Sequence, residues 1–147
     1  MHRRNILATA LAATGALLAA GGRSARAEAR EGAKAVYHLS DLDKAAFVLG
    51  NIGHHLEGAG GPEQVTIALV VHGAALRAFH AGTASPETVR KVAALAKADV
   101  KLHACVHSMR GQNVTLKDLL PGFAVAEKGG VVLIAELQGQ GYAYLRP

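Results

Sequence analysis

The run Val65-Thr66-Ile67-Ala68-Leu69-Val70-Val71 constrains this chain more than any other stretch. It is rich in β-branched residues and almost wholly apolar. A strand with one wet face alternates apolar and polar residues, and this one does not. Both of its faces must therefore be covered, as happens in parallel sheets flanked by helices. His72-Gly73 closes the run. Parallel neighbours cannot be joined by tight turns, so the rest of the chain must supply crossovers.

Those crossovers are legible on either side. Lys34–Leu39 reads as the first strand. Ser40-Asp41-Leu42-Asp43 stops it and offers a Ser-x-x-Asp cap. Leu42, Ala45, Ala46, Leu49, Ile52 and Leu56 then recur at helical spacing, up to the breaker Gly58-Ala59-Gly60-Gly61-Pro62. A short helix is expected from Ala74 to about His80. Ser85-Pro86-Glu87 starts another, with Val89, Val92, Ala93 and Ala96 inward. Val100–Ala104 is the third strand, and a helical turn follows from Val106 to about Gly111. Thr115-Leu116-Lys117-Asp118 is a second capping box, and Pro121-Gly122 stops the short helix it opens. Phe123–Ala126 and Tyr142–Leu145 are the fourth and fifth strands. Local propensity would make Gly130–Gln138 a strand, but it alone can carry the last crossover, so a helix is expected. The alternating order predicts an α/β/α sandwich on a five-stranded, mostly parallel sheet, in one domain over residues 28–147.

Residues 1–27 read as an export signal. His2-Arg3-Arg4-Asn5 is positive, Ile6–Ala20 is apolar but short for a bilayer span, and Ser24-Ala25-Arg26-Ala27 ends in an Ala-x-Ala pattern. Cleavage is expected after Ala27. Arg3-Arg4 followed by Asn5-Ile6-Leu7 resembles a twin-arginine signal. A periplasmic location follows, with no membrane association after cleavage. The net charge of +5 is mostly this segment: without it, 12 Lys+Arg face 11 Asp+Glu. A nucleic-acid binder needs a basic stripe on its folded domain, so that class is set aside.

Lys101-Leu102-His103-Ala104-Cys105-Val106-His107-Ser108-Met109 is the most chemical-looking stretch. It holds the only cysteine, at a strand's C-terminal end, with imidazoles at alternate positions. A single cysteine cannot form an intramolecular disulfide in an oxidising compartment. The thiol is buried and inert, paired with another chain, or reactive.

Several stretches together resemble the DsrE family (DsrE/DsrF/TusD-like), and its exported members in particular. They are Val36-Tyr37-His38-Leu39-Ser40-Asp41, Leu69-Val70-Val71-His72-Gly73, Ala104-Cys105 with Met109, Asp118-Leu119-Leu120-Pro121-Gly122-Phe123, and Val125–Val131 with the tail Gln140–Pro147. The resemblance covers the chain from the first strand onward. It implies a flavodoxin-like sandwich assembled as homotrimers or hexamers. It also implies a sulfur-carrier or sulfurtransferase-like role, with a persulfide relayed on the cysteine after the third strand, here Cys105. No cofactor is implied, and the sulfur donor and acceptor are not named by it.

Function in parallel sheets gathers at the C-terminal strand ends. That edge would collect Ser40, Asp41, His72, Gly73, Cys105, Lys128 and Gly129. Cys105 and His72 are the expected catalytic pair. Ser40, Asp41, Gly73, His107, Met109 and Lys128 are expected to line the substrate side. Blander readings stand beside these: Cys105 as a small buried hydrophobe, His72 satisfied by backbone, Met109 as packing, and Lys128 as a solvated turn residue. Two rival functions remain. One is a metal module on His103-x-Cys105-x-His107. The other is a non-catalytic oligomeric module that binds a small ligand or partner.

Overall fold

The computed structural model describes residues 32–147. The expected export signal, residues 1–27, lies outside the described residues. Five strands form one sheet: β1 (Ala33–Leu39), β2 (Val65–Val71), β3 (Lys101–Cys105), β4 (Phe123–Ala126) and β5 (Ala143–Leu145). Their spatial order is β4-β3-β2-β1-β5, and every pair is parallel. The sheet is thus wholly parallel rather than mostly so.

Four α-helices connect the strands: α1 (Ala45–Ala59), α2 (Pro86–Lys97), α3 (Val106–Gly111) and α4 (Gly130–Gly139). From β1 to β4 the chain steps steadily toward one edge. Val48, Leu49, Val92, Leu95 and Met109 from α1, α2 and α3 join a core with Ile67, Leu69 and Val71. The step from β4 to β5 runs back in the opposite direction. Crossovers keep one hand, so reversing direction puts the connecting helix on the opposite face. Ile134 and Leu137 of α4 accordingly pack on Val36, Ala68 and Val70. The apolar run in β2 is divided between these two cores. Gly130–Gly139 is a helix, as the crossover argument requires.

Local details differ from expectation. Ser40 and Asp43 make no capping box. Leu42–Lys44 is a 3-10 turn with no side-chain cap, and the Ser40 hydroxyl instead accepts from Arg146 Nη2 at 3.1 Å. Leu42 and Ala46 are exposed, and Val48 takes their place in the core. Gly73–Phe79 is a 3-10 helix rather than an α-helix. The Ser85-Pro86 start forms as expected, with Ser85 Oγ accepting the Thr88 amide at 3.1 Å. The helix then turns Thr88, Val92 and Leu95 inward and leaves Val89 and Ala93 outside. Ser85 also donates to the Thr88 hydroxyl at 3.0 Å, so Thr88 can be buried without losing its hydrogen bonds. Leu95 offers more apolar area than the alanines of the expected stripe.

Candidate functional site

Cys105 is the last residue of β3 and immediately precedes α3. It pairs in register with Ala126, the last residue of β4. The chain leaves β3 toward the α1 face and leaves β4 toward the α4 face. Divergence of two neighbouring strand ends is the topological switch point of an open parallel sheet, where ligand crevices form. Cys105 lies at that point.

Two helix starts converge on the sulfur. α3 begins at the next residue, and α4 begins at Gly130. A Cβ placed on Gly130 would lie 3.3 Å from Cys105 Cβ and from Val70 Cγ1, and 3.5 Å from His72 Cβ. The absence of that carbon lets the α4 amide come close to the thiol. Cys105 is only 6% exposed, and burial pushes its thiol pKa up. Hydrogen bonds from the Gly130 and Ser108 amides, the Ser108 hydroxyl and the His107 amide pull it down. Their sum wins, and the thiol lies below its ordinary value.

Ser108 is the residue the sequence reading passed over. Its Oγ accepts the Gly73 amide at 2.7 Å, which leaves its own proton free for the sulfur. Gln112 Nε2 donates to the Gly73 carbonyl at 2.8 Å, and His80 Nε2 meets Gln112 Oε1 at 2.9 Å. The turn after β2 is thereby tied to α3, with Gly73 at φ +61°. A signal for Ser108 was present. It stands three residues after the residue that caps α3, the position from which side chains reach back to a cap.

The expected site residues fall into separate groups. Cys105, Gly73 and His107 come together around α3. His107 is exposed, with its ring against Gly129, where a Cβ would lie 2.9 Å from Cδ2. His72 lies beside Cys105 across Gly130, but its ring turns toward β1. Its Nε2 is in hydrogen-bonding contact with His38 Nε2. No imidazole is among the groups that set the thiol's ionisation. Ser40 and Asp41 gather instead with Arg146, whose guanidinium is 3.5 Å from the Asp41 carboxylate. Met109 is buried in the core on the α1 face. Lys128 is exposed and paired with Glu136 at 2.9 Å.

His103 shares the sheet face of Cys105 through strand alternation, but His107 has left the strand for α3. Among the described residues, no group of three or more His, Cys, Asp or Glu is disposed to hold a metal. The His103-Cys105-His107 ligand set is therefore not formed. Burial first, and then the charge of Lys101, lowers the His103 pKa.

A second polar cluster lies on the β1–β5 side of the same face. His38 Nδ1 is 2.6 Å from the Tyr144 hydroxyl, so β5, β1 and the end of β2 are linked as Tyr144, His38, His72. Burial lowers the pKa of both histidines. His38 is lowered further by His72, and both by Arg146, against a weaker opposing effect of Asp41.

The fold has known counterparts. The structure of MTH1491, a protein of unknown function from Methanobacterium thermoautotrophicum, is similar with a TM-score of 0.69 and 25% identity. That likeness covers 78% of this chain and 99% of that one. The YchN protein of E. coli is similar with a TM-score of 0.56 at 11% identity, over 78% of this chain and 99% of its own. No curated protein matches the chain. The model of the DsrE/DsrF-like family matches residues 21–147, and the chain belongs to that family.

Proposed function

We propose that Cys105 is a sulfur carrier, taking up a sulfane sulfur as a persulfide and passing it on. The observation that carries this reading is the set of hydrogen-bond donors aimed at Sγ from the starts of α3 and α4. They favour the thiolate, which is the nucleophile in such chemistry. Membership of the DsrE/DsrF-like family supports the same role.

The steps balance without a redox partner. The Cys105 thiolate attacks the outer sulfur of a donor such as thiosulfate or a low-molecular-weight persulfide. An Sγ–S bond forms, the donor S–S bond breaks, and sulfite or a thiolate leaves with the electron pair. An acceptor thiolate then attacks the outer sulfur of the Cys105 persulfide, and Cys105 departs as thiolate. One cysteine per chain is sufficient, because the second thiol belongs to the acceptor.

Export by the residue 1–27 signal, and so a periplasmic location, is part of this proposal. So is self-association as a trimer or hexamer. The outer side of α4 supports it, since Val131 is 66% exposed and Val132 42%. Intact mass spectrometry after incubation with thiosulfate or a persulfide donor tests the carrier role. The wild-type chain is expected to gain one sulfur atom, and Cys105→Ser none. An unmodified wild-type mass with every donor, under native conditions, contradicts it.

A further inference from the structure

We propose that Gln112 is a positioning residue for the Cys105 sulfur, braced by His80 and acting through Gly73 and Ser108. Its purpose rests on the sulfur-carrier reading, while its geometry and its test concern the thiol alone.

Four hydrogen bonds run in series from the half-buried His80 to the sulfur. His80 Nε2 meets Gln112 Oε1 at 2.9 Å, and Gln112 Nε2 donates to the Gly73 carbonyl at 2.8 Å. The Gly73 amide donates to Ser108 Oγ at 2.7 Å, and the Ser108 hydroxyl bonds to Cys105. The backbone of Gly73, in the middle, sets the polarity of every link. A carbonyl only accepts, so the Gln112 amide nitrogen faces Gly73. The Gln112 oxygen is then turned to His80, and His80 Nε2 must carry a proton. In the other direction an amide only donates. Ser108 Oγ accepts from it and keeps its own proton for the sulfur. No link can reverse without setting two donors or two acceptors against each other.

The local fold makes this series possible. Ser108 lies in α3 and Gln112 closes that helix four residues on, so both side chains stand on one side of it. Gly73 offers its amide and its carbonyl to that same side, with φ at +61°, in the left-handed region that favours glycine. While Gln112 pins the carbonyl, the amide stays on Ser108. Without Gln112 the Gly73 carbonyl loses this partner, the turn can rotate, and the Ser108 proton can leave the sulfur.

Both ends of the series are anchored by backbone. His80 pairs with Leu119 in an isolated antiparallel bridge. On either side of it, the Ala81 amide donates to the Asp118 carbonyl at 2.8 Å and the Leu120 amide to the Phe79 carbonyl at 2.9 Å. The Gln112 amide closes α3 on the Ser108 carbonyl at 3.0 Å. Side chains locked by such supports hold a reacting group more closely than side chains on free loops.

The test is the pH midpoint of Cys105 alkylation in the native full chain, with circular dichroism confirming that each variant is folded. Gln112→Met keeps the length of the side chain and loses its amide. It should raise the midpoint, lowering the thiol's ionisation constant about two- to tenfold, the range of one hydrogen bond. His80→Phe should raise it less, and His80→Gln, which keeps an N–H donor, less again. In a Ser108→Ala background Gln112→Met should add nothing, because its effect passes through Ser108. Leu69→Ala, in the aliphatic core, should leave the midpoint in place. The proposal is overturned if Gln112→Met keeps the wild-type midpoint, if it shifts the midpoint as much without Ser108 as with it, or if Leu69→Ala shifts it equally. Should the shifts appear while no donor loads sulfur, the carrier reading fails and this one stands. Should sulfur load while Gln112→Met moves nothing, this one fails alone.

Discussion

One face of the sheet is sealed by α1, α2, α3 and the Gly73–Phe79 segment, while among the described residues α4 alone crosses the other. The sealed face buries Ile67, Leu69 and Val71 of β2 in a continuous aliphatic core. The thinly covered face has a smaller apolar cluster, Val36, Ala68 and Val70 under Ile134 and Leu137. Around that patch it carries Cys105, His103, His38 and His72, all polarisable or titratable. One set of strands serves both ends because alternation sends neighbouring residues to opposite sides. Stability is concentrated on one side and chemistry on the other.

If that division holds, substitutions on the two faces should have different consequences. Leu69→Ala on the sealed face should lose about 2–5 kcal/mol, the range for a buried leucine truncated in a tight core. Denaturant midpoints measure this, and thiol reactivity per folded molecule should be unchanged. Cys105→Ser should abolish sulfur uptake while moving the midpoint little. A large midpoint loss would mean that the thiol serves packing instead.

Gly130→Ala sharpens the contrast. Its Cβ would press on Cys105 and Val70, so α4 must move back by a few tenths of an ångström. The Gly130 amide then recedes from Sγ, and the alkylation midpoint of the thiol should move to higher pH. Ser108→Ala removes one donor from the sulfur and one acceptor from the Gly73 amide. It should move the midpoint in the same direction with a smaller effect on stability. No movement in either variant would break the link between the helix starts and the thiolate.

A weaker effect concerns pH. His38 and His72 have folded pKa values below their unfolded ones, because burial disfavours the imidazolium. The unfolded chain therefore binds more protons in the imidazole range, and stability rises with pH there. The contribution is complete above the unfolded value of about 6.5 and is lost as pH falls below it. Melting followed across that range should show this loss, and His38→Phe should reduce it.

Much of this was legible in the sequence, for stated reasons. β2 lacks alternation, which forced both faces to be covered. Gly130–Gln138 has strand propensity, yet chain connectivity made it a helix. The position of Cys105 at a strand end followed from the short apolar run before it. The inward face of α2 was legible only in part: Val92 is buried and Ala96 packs against the core as the expected stripe has them, but Val89 and Ala93 face out while Thr88 and Leu95 face in. Only the Ser85–Thr88 hydrogen bonds and the sheet beneath decide this. The Tyr144–His38–His72 chain was hidden for a different reason. Tyr144 and His38 are 106 positions apart, and they meet only because β5 returns to pair with β1. His38 itself alternates with Val36 and could have been placed on the α4 face. Its partners could not.

The most direct measurement is the pH dependence of Cys105 alkylation in the native protein. The thiol should react without denaturant, with a midpoint below that of a free cysteine, about 8.5. Reaction only after unfolding, or a native midpoint at or above the free value, would contradict the account.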